Sequence, residues 1–352
     1  MPETGGMVSV ANCGDPLHIA STPLSLVTSP NPLYNTVMKI LVPLPVLEDV
    51  RAANISGVTF LPYTEEETET AGIGEAKAVF RWIAGKRYER LLLDGSQVRW
   101  LHTASAGVDH ILTAALKARG GFILTDSGPA FGICIGEFVL AWMLATAHRL
   151  PELIEQQARS EWKALQQEEL YGQTVGIIGL GPIGQGIAAR CKAFGMRVIG
   201  YRRTPVAAPN VDEVRTGSDG LVTLLEESDW IIGAAALTDE TRAILGAEQF
   251  AAMKPTARII NIARGGLLEE SALIDALQKG KIAGAILDVF AREPLPADSL
   301  LWKMPGVYIT PHNAPGWTDG LRRRQLDLFL QNVARFTQGE TLEGIVDIER
   351  GY

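Results

Sequence analysis

Short apolar runs alternate with amphipathic stretches from Met38 to the end of the chain. MKILVP and VTFLPY predict buried strands, and so do KAVFRWIAG, VRWLHTA and FILTDSGP after them. TEEETE between the second and third runs is acidic and reads as a solvated helix start or loop. Glu137 then opens a long helix, EFVLAWMLATAHRL, with apolar residues at helical spacing. A second unit starts near Leu170, where TVGIIGL, MRVIGY, DWIIGAAA, ARIINIA, IAGAILDVF and VYITPH alternate with helices such as IGQGIAARCKAFG and EESALIDALQKG. Strands that are apolar throughout and alternate with helices indicate parallel sheets covered on both faces. The expected fold class is therefore α/β with two doubly wound domains. A final helix over residues 319–337 follows the last strand with no new strand to serve, so it is expected to return to the first domain.

The 352 residues suffice for two domains of ordinary size. A formal net charge of −8 argues against nucleic acid as a partner. Cys13, Cys134 and Cys191 are far apart and form no CxxC pair, which fits a reducing cytoplasm better than a disulfide framework. The most apolar helical stretch, residues 138–148, is too short to cross a membrane, and no membrane partner is expected. Residues 1–37 carry five prolines and neither Lys nor Arg. They lack the basic start of a signal peptide and the arginines of a transit peptide. They read as a poorly ordered extension ahead of the folded domain.

Gly179, Gly181 and Gly184 stand in GxGxxG spacing between an apolar run and a helix. In a dinucleotide site the first glycine permits the tight turn, the second lets backbone approach the pyrophosphate, and the third lets the helix pack on the strand. About 20 residues on, such units carry an acid for the ribose 2′-hydroxyl. Here the chain reads YRRT, so Arg202 and Arg203 place positive charge there, and Thr204 adds a hydroxyl. A guanidinium binds a 2′-phosphate that a carboxylate would repel. The expected cofactor is NADP(H), with NAD(H) as the lesser option. The bland reading of the arginine pair is a solvated charged loop.

NIARGG, LDVFAREP and TPHNAP each follow an apolar strand and supply Arg264, Asp288, Glu293 and His312. Ligands of open α/β sheets bind beyond the carboxyl ends of strands. Arg264 can grip a carboxylate and polarise an adjacent carbonyl. His312 can move one proton near neutral pH, and Glu293 can orient the imidazole and favour its protonated form. Together these groups suit reduction of a small 2-keto acid.

The chain from Met38 resembles the D-isomer-specific 2-hydroxyacid dehydrogenase family, which includes glyoxylate/hydroxypyruvate reductases. The resemblance rests on GLGPIG, NIARGGLLEESALIDALQKGKIAGAILDVFAREPLP and LWKMPGVYITPHNA, with SAGVDHI and GEFVLAWMLA extending it toward the N-terminus. It implies a Rossmann domain, residues 140–318, inserted into a discontinuous flavodoxin-like substrate domain, residues 38–139 and 319–352. It implies catalytic roles for Arg264, Glu293 and His312, with the substrate carboxylate received by Arg264 and by the backbone at Ala106 and Gly107. Cofactor contacts are implied at Gly179, Gly181, Pro182, Ile183, Gly184, Ala235, Ala236, Ile262, Ala263, Arg264, His312 and Ala314, and at Asp288 near the nicotinamide carboxamide. No metal is implied, and a homodimer through the crossing helix is.

One departure is at GAAALTDET, where Ala236 stands for the family proline and Ala234 where a His sometimes sits. A slightly looser cofactor wall is expected there. Arg81 and Trp82 are either pocket lining or core, and Trp317 either closes the pocket or packs a hinge. His18 falls in the extension, and His102, His110 and His148 lack metal-ligand spacing, so structural or surface roles are expected. Two rival functions are a dinucleotide-sensing, corepressor-like binding protein and a formate or phosphonate dehydrogenase on the same fold.

Overall fold

The computed structural model describes residues 37–67, 70–82 and 85–352. The extension up to residue 36, with Cys13 and His18, lies outside the described residues. The first sheet is built from β1 (Met38–Pro43), β2 (Val58–Tyr63), β3 (Ala76–Arg81), β4 (Trp100–Thr103) and β5 (Ile123–Thr125). Its order is β2-β1-β3-β4-β5, and every pairing is parallel. The second sheet contains β6 (Thr174–Ile178), β7 (Arg197–Tyr201), β8 (Glu213–Arg215), β9 (Trp230–Gly233), β10 (Arg258–Asn261), β11 (Gly284–Leu287) and β12 (Val307–Ile309). Its order is β12-β11-β10-β9-β6-β7-β8, again parallel throughout. β6, β9 and β11 are buried at every position, as strands covered on both faces must be. In each sheet the chain winds outward one way and then returns to wind the other way. The reversals lie between β1 and β3 and between β6 and β9. A crevice opens at such a point beyond the strands' carboxyl ends.

Two elements differ from the sequence expectation. The crossing helix begins at Gly128, not Glu137, and runs to Ala147. Pro129 sits in its first turn, where a missing N–H costs nothing. Gly132 and Gly136 are contact points with the helix Pro182–Ala193. A Cβ on Gly186 would lie 2.3 Å from the Gly132 carbonyl oxygen, and one on Gly132 would lie 2.8 Å from that of Pro182. At 20 residues this helix is long and apolar enough to cross a membrane by length and composition. Val139, Met143 and Ala147 instead enter the core that contains Val175 and Ile177 of β6. The expected domain boundary between residues 139 and 140 thus falls inside a continuous helix. The other difference is β8, an edge strand of three residues, too short to show an apolar alternation.

The last helix, Asp319–Gln338, packs on the first sheet. The Phe329 ring stacks on Phe80 of β3 with centroids 4.0 Å apart, and Leu326 and Val333 join Ile40 and Val42 in the same core. Gln325 Nε2 donates to the Ala104 carbonyl at 2.6 Å, just before the SAGVD loop.

Candidate active site

The turn after β6 is made by Gly179, whose φ is +103°. A Cβ there would lie 2.5 Å from the Ala235 backbone nitrogen, so the turn presses on the loop after β9. Gly181 caps the helix Pro182–Ala193 and faces open space, with nothing within 4 Å of a built Cβ. A Cβ on Gly184 would come 2.0 Å from the Gly179 carbonyl oxygen. The second glycine therefore leaves room at the positive end of a helix, while the first and third close the turn behind it. That arrangement fits a pyrophosphate. Ile183 is half-buried beside this turn, and Pro182 is exposed. Ala235 is half-buried and Ala236 exposed on the facing loop. The Ala236 carbonyl accepts from Thr241 Oγ1 at 2.6 Å, and Thr241 Oγ1 accepts from the Thr238 N–H at 2.8 Å. That threonine pair fastens the loop whose wall was expected to be loose.

The two arginines after β7 separate into different environments. Arg203 Nη1 is 3.4 Å from Glu240, and its guanidinium lies over the Tyr352 ring at 5.3 Å. Arg202 makes one long hydrogen bond, 3.5 Å to the Val206 carbonyl, and no ion pair among the described residues. Arg202 thus keeps an uncompensated positive charge beside the crevice, and Thr204 is exposed next to it.

Arg264 follows β10 in a loop braced from within. Asn261 is fully buried, donates through Nδ2 to the Arg264 carbonyl at 2.9 Å and accepts from the Ala263 N–H at 3.2 Å. Ile262 N–H donates to the Gly233 carbonyl. The Arg264 guanidinium crosses to the first sheet's SAGVD loop. A Cβ on Gly107 would lie 2.5 Å from Nη2, so the substrate loop expected at Ala106 and Gly107 and the expected substrate arginine meet here. Asp109 accepts from Nη2 at 2.7 Å and from Nε at 3.2 Å, while Nη1 donates to the Ala263 carbonyl at 2.7 Å. The side chains of His110 and Arg264 beside Asp109 hold its carboxyl well below the usual carboxylate range. His110 Nδ1 stands 3.8 Å from Asp109 Oδ1. Gly107 N–H points at Asp126 Oδ2 over a long 3.4 Å. Burial pushes the Asp126 carboxyl up, against the hydrogen bonds it accepts from the Gly128 and Gly107 N–H groups.

Gly265 brings the next loop in. A Cβ there would lie 1.9 Å from the Phe290 carbonyl carbon, so the loops after β10 and β11 touch backbone to backbone. From the second of these, Glu293 accepts the Phe290 N–H through Oε1 at 3.0 Å and meets His312 Nδ1 through Oε2 at 2.9 Å. With Nδ1 engaged, His312 Nε2 is the ring atom left to exchange a proton. His312 adopts a φ of +52°, an uncommon backbone state that its surroundings must hold. The brace is Asp288. Expected at the nicotinamide, it is fully buried behind the histidine loop. It accepts from Thr310 Oγ1 at 2.6 Å, Asn313 N–H at 2.7 Å and Ala314 N–H at 3.0 Å, and its own carbonyl accepts the His312 N–H at 2.8 Å. All the donors to that carboxylate among the described residues belong to the loop, so the side chain fixes the segment that carries His312.

Arg81 lies beneath the SAGVD loop, 5% exposed, donating to Thr103 Oγ1 at 3.2 Å and Ser105 Oγ at 3.3 Å. Trp82 and Trp317 line one cavity with Arg322 and Gln325. His102 is fully buried between Thr125 and Ser127, and His148 meets Gln167 on the surface. No group of three metal-ligating side chains occurs among the described residues. Two contributors escaped the sequence reading. Asp109 stood within the quoted SAGVDHI motif, and an acid two positions after a glycine turn was the available signal. Asn261 stood within NIARGG as an amide at a strand end.

The sequence profile of the D-isomer specific 2-hydroxyacid dehydrogenase, NAD binding domain, matches residues 140–314. D-3-phosphoglycerate dehydrogenase of Methanocaldococcus jannaschii is 38% identical over 249 residues, 70% of this chain and 47% of that protein, so the chain spans about half the length of that relative. Glyoxylate/hydroxypyruvate reductase B of Pectobacterium carotovorum is 36% identical over 269 residues, covering 75% of this chain and 83% of the relative. The crystal structure of an NADPH-dependent glyoxylate/hydroxypyruvate reductase from Sinorhizobium meliloti, in complex with NADP and sulfate, superposes with a TM-score of 0.75 at 28% identity, covering 90% of this chain and all of that one. With its two parallel sheets, its glycine turn and these relatives, the chain belongs to the D-isomer specific 2-hydroxyacid dehydrogenase family.

Proposed function

We propose that this protein reduces a small 2-keto acid to the D-2-hydroxy acid with NADPH, glyoxylate and hydroxypyruvate being the favoured substrates. One observation carries the reading: a guanidinium facing a glycine loop stands on the strand-end loop adjoining the one that pairs Glu293 with His312. When bound, NADPH supplies a hydride. The glycine turn and the N-terminus of the helix Pro182–Ala193 would hold its pyrophosphate, and Arg202 its 2′-phosphate. Arg264 binds the substrate carboxylate and polarises the neighbouring carbonyl. As the carbonyl carbon gains the hydride and the C=O π bond is lost, His312 gives the proton on Nε2 to the oxygen, which becomes the hydroxyl of the product. Glu293 keeps the ring oriented throughout. In the oxidative direction the same nitrogen takes the proton back. The named specificity of the Sinorhizobium reductase for NADPH supports the cofactor, and that of the Pectobacterium reductase supports the substrates.

Absorbance of NADPH and of NADH, followed with a panel of short 2-keto acids, tests the proposal. NADPH oxidation with at least one acid is expected, faster than with NADH. His312→Ala is expected to lose roughly 10²–10⁴-fold in turnover, and Arg264→Ala about 10²-fold or more. Near-normal turnover in both variants would sink the mechanism, and a preference for NADH would sink the cofactor assignment. Tight NADPH binding without oxidation by any acid would favour a dinucleotide sensor. Formate- or phosphite-dependent reduction of NADP would favour a dehydrogenase of that kind. The proposal includes a homodimer, supported by the apolar side chains that the segment from Gly128 onward leaves in solvent: Ile133, Leu150, Ile154 and a fully exposed Trp162.

A further inference from the structure

We propose that Asp109 is a positioning residue for Arg264, holding one edge of its guanidinium so that the other edge faces the substrate. This rests on Arg264 as the carboxylate-binding group. A guanidinium offers two bidentate edges, one from Nε and Nη2 and one from the two terminal nitrogens. Asp109 takes the first, at 3.2 and 2.7 Å, and the Ala263 carbonyl takes a hydrogen of Nη1 at 2.7 Å. Two hydrogens are left over, one on Nη1 and one on Nη2, and Nη2 lies beside Gly107.

The pair earns its place through order, not stability. With side-chain exposures of 25% and 44% it is too wet to add much to folding. An unpaired Arg, however, is a long side chain with many rotamers, all of which substrate would have to quench on binding. Asp109 quenches them beforehand. Because it belongs to the first sheet's loop and Arg264 to the loop after β10, the same contact also ties the two sheets together across the crevice. The neighbouring His110 and Arg264 side chains favour the charged form of this carboxylate.

A carboxylate next to Arg264 that competed with substrate for the guanidinium would play the opposite role. The two roles predict opposite signs. Affinity for oxalate, measured calorimetrically on the NADPH-loaded full chain, reads the difference. Asp109→Asn is expected to weaken oxalate about tenfold, with NADPH affinity and melting temperature unchanged, and Asp109→Glu to recover part of the loss. In the Arg264→Ala background, Asp109→Asn should have no further effect, because the residue acts through the arginine. Unchanged or tighter oxalate binding in Asp109→Asn overturns the proposal. If Arg264→Ala itself leaves oxalate binding intact, or the wild-type protein does not bind oxalate, the underlying assignment of Arg264 falls instead.

Discussion

His102 and Asp288 are both fully buried polar side chains, and the atoms around them give them different work. Asp288 accepts from three donors of the histidine loop and fixes an uncommon backbone state at His312. His102 sits among Phe80, Trp100 and Phe329 with two hydroxyls for company, and burial pushes its pKa down to about 3 from 6.5. The sign of the linkage follows. Between those two values the unfolded chain takes a proton that the folded one refuses, so stability is full above the unfolded value and falls as the pH drops below it. We expect the melting temperature to decline from about pH 6.5 to about pH 4.5, a window largely above the carboxylates. His102→Gln, which keeps an amide for the hydroxyls but has nothing to titrate, should flatten that decline. An equally steep decline in the variant would show that other groups are responsible.

The element most informative about the fold is the pair of crossing helices, Gly128–Ala147 and Pro182–Ala193. Glycine inside a helix costs roughly 1 kcal/mol against alanine, so a run such as GPAFGICIG reads as a poor helix. The tertiary structure reverses that sign, because Gly132 and Gly186 are where the two backbones meet. Any side chain there must push the helices apart. Gly186→Ala is therefore expected to destabilise the protein by about 1–3 kcal/mol despite its better helix propensity, as overpacking does. Urea unfolding measures this, and an unchanged or higher midpoint would refute the backbone contact. The helix Pro182–Ala193 also carries the glycine turn, so the same variant should weaken NADPH.

At the scale of the whole molecule, two winding reversals create two crevices, and Arg264 reaches from one sheet's loops to the other's. A large exposed apolar set on one segment is unusual for a lone chain. Trp162 is bare, and Ile154 is 66% exposed. If a second copy covers them, sedimentation velocity should show a dimer at micromolar concentration, and Ile154→Glu together with Trp162→Glu should shift it toward monomer. A wild-type monomer would remove the dimer from the proposal.

The glycine turn, the strand-helix alternation and the loops carrying Arg264, Glu293 and His312 were legible in the sequence, because each depends on local chemistry: a backbone that needs φ above zero, a strand buried on both faces, a charge at a strand's carboxyl end. By itself the sequence determined a parallel α/β fold and a dinucleotide turn followed by arginines. What only the tertiary structure decided concerns partners far apart in the chain. Arg202 and Arg203 look alike until Glu240 and Tyr352 come to lie against one of them. Asp288 acquires its donors only when the loop after β12 closes over it, and Asp109 acquires a role only when Arg264, 155 residues away, reaches its carboxylate. Spacing along a chain records which groups a strand end presents; long-range packing alone sets which of them are already neutralised and which remain free to bind.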